Sequence, residues 1–182
     1  MKNIIFLILT IILSSCGSTS SIRNAQPSES RVDISNYDYI IINDFKDGTS
    51  KSSNNPHVIS EGKRFADMIA SSIKSKKLFD KVQRNVDSTD RAILIDGKIT
   101  KYSEGNAVMR TLIGFGVGSS HFNAKINIKD NETKKLLGSI DANKMSWALG
   151  GVIAGSQDVK SHMNSVASNI ACECEIAKKK KK

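Results

Sequence analysis

Hydrophobic positions change their period several times along this chain, and each change marks an element. The first run, Ile4 to Leu13, is apolar at every position except Thr10. As a helix it would extend about 15 Å, half a bilayer core and too short to span one. Residues 17–35 have no apolar period and are rich in Ser, the composition of a flexible tether of about 25 Å. The run Tyr37-Asp-Tyr-Ile-Ile-Ile-Asn-Asp-Phe45 is β-branched and aromatic, and predicts a buried strand.

Asn55-Pro56 opens a helix, with Asn as cap and Pro in the first turn. Phe65, Met68, Ile69, Ser72 and Ile73 follow helical spacing, so a helix with one inward face is expected over 56–76. Four strands should follow, at 81–84, 92–102, 120–130 and 135–143. The third alternates cleanly: Phe122, Ala124, Ile126 and Ile128 face one way, while His121, Asn123, Lys125, Asn127 and Lys129 face the other. A half-polar strand belongs to an antiparallel sheet with one open face. Asp130-Asn-Glu-Thr133 supplies the turn to its hairpin partner. Ser156 is placed to cap a last helix with Val159, Met163, Val166, Ile170 and Cys174 on one stripe.

The order β-α-β-β-β-β-α predicts an α+β fold: a two-layer sandwich, its sheet mostly antiparallel and both helices on one face. The expected organisation is a signal peptide over 1–15, a lipidated cysteine and tether over 16–35, one α/β domain over 36–176, and a disordered lysine tail over 177–182.

The end of the first apolar run changes the picture most. Lys2 gives a positive n-region, and Leu13-Ser14-Ser15-Cys16 reads as a bacterial lipobox. Leu13, Ser14 and Ser15 would be recognised by the signal peptidase. Cys16 would carry the lipid and become the first mature residue. Two or more acyl chains give stable membrane attachment where one does not. The expected location is the cell envelope, on the outer membrane facing the periplasm, since Gly17 after Cys16 gives no acidic retention signal.

Charge adds an exclusion. The chain carries 27 Lys and Arg against 18 Asp and Glu, a net +9. Lys2 leaves with the leader and five lysines form the terminal run 178–182, so the body keeps about +3. No basic nucleic-acid footprint is indicated. The lysine tail is expected to be solvated, with attraction to anionic headgroups as the alternative. Cys172 and Cys174 sit two apart, about 200° around a helix, which disfavours a bridge between them. One is expected in the core and one at the surface. No second Cys/His pair accompanies them, and no metal site is predicted.

Gly114, Gly116 and Gly118 alternate, but a dinucleotide fingerprint needs different spacing and a following helix, and no Walker ending is present. Nucleotide is therefore not expected. The segment 105–118 is instead apolar for a connection, as is 147–155. Exposed together they would form a partner or membrane contact through Leu112, Ile113, Phe115, Trp147 and Leu149, with Arg110 as a polar tip. Folding back over the core edge is the other reading. His57, His121 and His162 lie at no metal spacing, Asp44 and Asp47 have no assignable partner, and no nucleophile elbow occurs. No catalytic residue and no cofactor beyond the lipid on Cys16 is predicted.

Gly105-Asn106, Arg110, Gly114-Phe115-Gly116-x-Gly118, the alternating strand and Asp130-x-x-Thr133 together resemble the bacterial lipoprotein family called domain of unknown function 4410. Lys134 departs from it, standing where a Gly is expected. The resemblance implies the same strand–helix–strands–helix layout and assigns no activity. A more distant similarity is to the periplasmic domain of the curli-secretion lipoprotein. That protein's pore needs hairpins of two strands of about 9–11 residues each, which 105–118 is too short to supply. The function expected is a non-enzymatic envelope lipoprotein that binds or assembles with an envelope protein or with itself. A subunit of an oligomeric secretion or transport complex is the alternative, and a periplasmic hydrolase a lesser one.

Overall fold

Ile40, Ile41 and Ile42 are all fully buried, although successive strand side chains point to opposite faces. The sheet is therefore covered on both sides at this strand, and by different means. The computed structural model describes residues 23–24, 32–50, 54–106, 118–145 and 158–179. The elements are β1 (Arg23–Asn24), β2 (Tyr39–Ile42), β3 (Lys46–Asp47), α1 (Pro56–Ser75), β4 (Lys81–Arg84), β5 (Ile93–Ser103), β6 (His121–Asp130), β7 (Leu136–Met145) and α2 (Val159–Lys178). All strands join one sheet in the order β1-β7-β6-β5-β2-β4, with β3 also pairing β5. Strands β5, β6, β7 and β1 are antiparallel in succession, whereas β2 and β3 run parallel to β5, and β4 parallel to β2. The α+β layout and the element order match the expectation.

Both helices cover one face. Phe65, Ile69 and Ile73 of α1 and Met163, Val166, Ile170 and Cys174 of α2 share a single core cluster with Ile95, Phe122, Ile126 and Ile140 of the sheet. At its centre Phe45, Phe65 and Phe122 stack edge to face, with ring centroids 4.8 Å apart at each contact. The helix α1 starts where Asn55 accepts the His57 N–H at 3.0 Å and Pro56 needs no donor partner. Far from that end, Lys76 of α1's C-cap reaches Glu175 of α2 at 2.8 Å. The two helices thus run parallel, and both begin at the same end of the sheet.

Among the described residues, the opposite face is covered by apolar side chains only over β2. Tyr39, Ile41, Ala92 and Leu94 form a second small cluster there. The β4–β5 connection, 85–92, must cross β2 because β4 and β5 flank it and both run parallel to it. Asn131, itself buried, ties that crossing down. Its Nδ2 donates to Ser88 O at 2.7 Å and Asp90 O at 3.1 Å, and its N–H donates to Ala92 O at 2.8 Å.

Three boundaries differ from the sequence reading. The ordered body begins before residue 36: Val32 and Ile34 are buried, and β1 pairs antiparallel with β7 inside the segment read as tether. The cap of α2 is Asp158, whose carboxylate accepts the Ser161 N–H at 2.7 Å, and not Ser156. The helix then runs past Ile176 into the lysine run. Lys178 Nζ donates to the carbonyl of Tyr37 and to Asp38, 3.0 Å away, and lies over the Phe79 ring at 4.9 Å. An apolar stem, two oxygen acceptors and one aromatic face order a lysine that charge alone would leave solvated.

Candidate functional site

The residues singled out for lipidation and processing, Leu13, Ser14, Ser15 and Cys16, lie outside the described residues. So do the contact candidates Arg110, Leu112, Ile113, Phe115, Trp147 and Leu149. The strands that lead into both apolar segments are described, and they converge. Ser103 at the end of β5, His121 at the start of β6 and Met145 at the end of β7 stand in one register row. The Asn106 N–H donates to Gly118 O at 2.8 Å, so 106 and 118 close like a neck. Gly105 and Gly118 have φ of 68° and 73°, the left-handed region where other residues are strained. Both Gly-rich segments therefore leave from one end of the sheet, the end where α1 and α2 begin.

Polar side chains collect at that end. His57 packs on the edge of Tyr102 at 5.3 Å and approaches Glu104 at 3.5 Å. Tyr102 donates to Glu104 at 3.4 Å. Burial, and then the negative charges of Glu61 and Glu104, push the Tyr102 phenol well above its ordinary range. Glu61 is buried, with one oxygen 3.3 Å from Arg64 and the other, Oε2, without a hydrogen-bond partner among the described residues. A buried carboxylate oxygen left open carries a desolvation cost. In the sequence the only sign of this cluster was His57, Glu61 and Arg64 at helical spacing.

On the α2 side, Ser120 Oγ and His162 Nε2 are 3.2 Å apart. This is the spacing of a nucleophile and its base. Ser120 is fully buried and His162 nearly so, so a substrate carbonyl has no approach to the hydroxyl in this arrangement. The contact pins the start of β6 to the first turn of α2. His162 precedes Met163 of the apolar stripe, but nothing in the sequence points to its partner, 42 residues away.

A separate cleft of about 380 Å³ lies where β2 and β4 end, lined by Asn43, Asp44, Asn85, Asp87, Asn131 and Lys134 among others. Asp44 is engaged there by Arg84 at 2.6 Å and Asn85 at 2.9 Å. Burial pushes its carboxyl up, but these hydrogen bonds and the Arg84 charge outweigh that and hold it below the usual range. Asp47 accepts from Thr49 and Asn55 and serves the loop before α1.

Cys174 is fully buried in the core, where burial pushes its thiol up to about 12. No group of three or more His, Cys, Asp or Glu among the described residues is arranged to hold a metal ion. No described helix is long and apolar enough to cross a membrane.

A family model described as Domain of unknown function (DUF4410) matches residues 20–150. The chain belongs to that family. The match takes in the neck at Asn106 and Gly118 and the whole sheet, and the family resemblance read from Gly105, Gly118 and Asp130 is met. Among solved structures, the PelC dodecamer from Paraburkholderia phytofirmans is similar at 11% identity and TM-score 0.52, covering 84% of this chain and 98% of that one. A single-substitution variant of the same PelC, also a dodecamer, gives 12% and 0.51, with 84% and 97% covered. Protein XCC0632 from Xanthomonas campestris gives 8% and 0.48, with 86% and 92% covered. No curated protein matches the chain. At these identities the PelC structures share the fold.

Proposed function

We propose that this chain is a lipid-anchored envelope protein that assembles with copies of itself, with no catalytic role. The observation that carries this reading is the shared exit of 105–118 and 146–157 beside Ser103, His121 and Met145. Two apolar, Gly-rich stretches rooted in one register row are well placed to serve one contact, since contiguous apolar surface marks a contact site. The PelC protein that shares this fold is a dodecamer, which supports self-assembly as the use of that surface. The Leu13-Ser-Ser-Cys16 motif supports anchoring through Cys16 in the outer membrane, facing the periplasm.

Photocrosslinking residues placed at Leu112 and at Trp147 test the contact in intact cells. Adducts at multiples of the chain mass from both positions are expected. If neither position captures a second copy, self-assembly through this end is wrong.

The 3.2 Å Ser120–His162 contact favours one second reading, a hydrolase opened by movement of the covering segments. A fluorophosphonate probe that labels the native chain but not Ser120→Ala would establish it. Labelling of both or of neither leaves the non-catalytic reading in place.

A further inference from the structure

The open face of the sheet carries lysines where strands are closest. Lys46 of β3 is paired in register with Lys98 of β5, and Lys98 with Lys125 of β6. Phe45, Ile99, Ala124 and Ile126, the sequence neighbours of these lysines, are buried in the helix-side core. The three lysines therefore share the other face. Adjacent strands lie about 4.8 Å apart, so three ammonium stems rise from a row about 10 Å long. Lys101 stands further along β5, close enough for its charge, after burial, to help depress the imidazole of His121.

All four lysines are exposed, and none forms an ion pair with a described residue. The carboxylates of this face are Asp96, held by Lys129 at 2.5 Å, and exposed Asp141, in register beside Lys125. Like charges directly opposed on a sheet are destabilising, so folding gains nothing from the row. The exposed ammonium groups are solvated, and an anionic surface laid against them would relieve this repulsion.

The anchor says what lies nearby. β1 pairs with Ser139 and Gly138 of β7, the strand next to β6. Only six residues separate Cys16 from Arg23, seven steps along the chain, and an extended chain covers at most about 3.6 Å per step. A lipid on Cys16 thus holds this sheet edge within about 25 Å of the headgroups. Attraction between lysines and anionic lipid acts within about 8 Å, a distance that this leash permits.

We infer that the open sheet face lies against the membrane surface, with Lys46, Lys98, Lys101 and Lys125 on anionic phosphate headgroups. This rests on the lipid-anchored reading, and it orients the domain: helices away from the bilayer, sheet towards it.

The test is binding of the purified full chain to vesicles of phosphatidylcholine with or without phosphatidylglycerol. The acyl chain drives binding to both, so their ratio reads charge alone. A lysine at an anionic surface contributes about fivefold. The triple variant Lys46→Gln, Lys98→Gln, Lys125→Gln should lower the ratio by up to about a hundredfold. Lys180→Gln, Lys181→Gln, Lys182→Gln removes equal charge and should lower it far less. A flat ratio for the native chain, or a larger loss from the tail variant, overturns the inference. Amine acetylation of the native chain gives an independent reading. Lys46, Lys98 and Lys125 should be protected on anionic vesicles, and equal rates on both vesicle types overturn it.

Labelling of native chain and Cys16→Ala with a palmitate analogue reports the anchor separately. Equal labelling removes the anchor, while a charge-dependent ratio would still place lipid at the face.

Discussion

A Cβ added to Gly62 would stand 2.1 Å from the carbonyl oxygen of Phe45, and one on Gly97 would stand 2.1 Å from that of Lys125. Helix propensity alone favours Gly62→Ala by about 1 kcal/mol. The clash is with backbone and cannot rotate away, and overpacking of this kind costs about 1–3 kcal/mol or more. The variant should therefore be less stable, with a melting temperature several degrees lower in calorimetry; an unchanged or higher value would mean that α1 lies further from Phe45 than described. Such positions are hard to read in a sequence. Gly62 resembles any tolerated helix glycine until the strand beneath it is known. Asn131 behaves likewise: in the sequence it is a turn residue, and only the crossing of 85–92 gives its amide two carbonyls to hold.

At the scale of elements, local periodicity was a sound guide where one face met one environment. The alternation of β6 runs through ten residues, and its even-numbered side chains from Phe122 to Ile128 are in the core as that pattern required. The capped start of α1 at Asn55-Pro56 was equally plain. The two-residue strands β1 and β3 were not legible, because so short a run has no period and its partner is distant. The parallel pairing of β2 with β4 and β5 was hidden too, since it depends on α1 and 85–92 crossing opposite faces. The helix C-termini give this scale a pH prediction. Hydrogen bonds from Lys179 and Lys76 hold the Glu175 carboxyl down to about 2, from an ordinary 4.5. A depressed carboxylate stabilises the fold fully above its unfolded value, and that contribution is lost as pH falls towards about 2. Lys76→Gln should therefore lose less stability than the native chain between pH 5 and about 2 in denaturant titrations. Parallel curves would show that the pair across α1 and α2 contributes nothing.

For the whole molecule, direction is the organising property. Both helix N-termini, the necks at Asn106 and Gly118, and the ends of β5 and β7 share one end, while the lysine row occupies the open face and β1 brings the chain in at the β7 edge. The proposed surface for copies at one end and the proposed surface for lipid on one face both rest on this topology. The candidate contact residues were legible as an apolar, Gly-rich composition. That the strands leading to them end in one row was not, because this is set by register between residues far apart in the chain. The central claim is self-assembly of an anchored domain. Native mass spectrometry of the full chain extracted in detergent measures it directly. The account predicts a closed set of several copies that persists on dilution and falls to single chains for Phe115→Asp with Trp147→Asp, with helix and strand content unchanged. A single-copy mass at every concentration would contradict it.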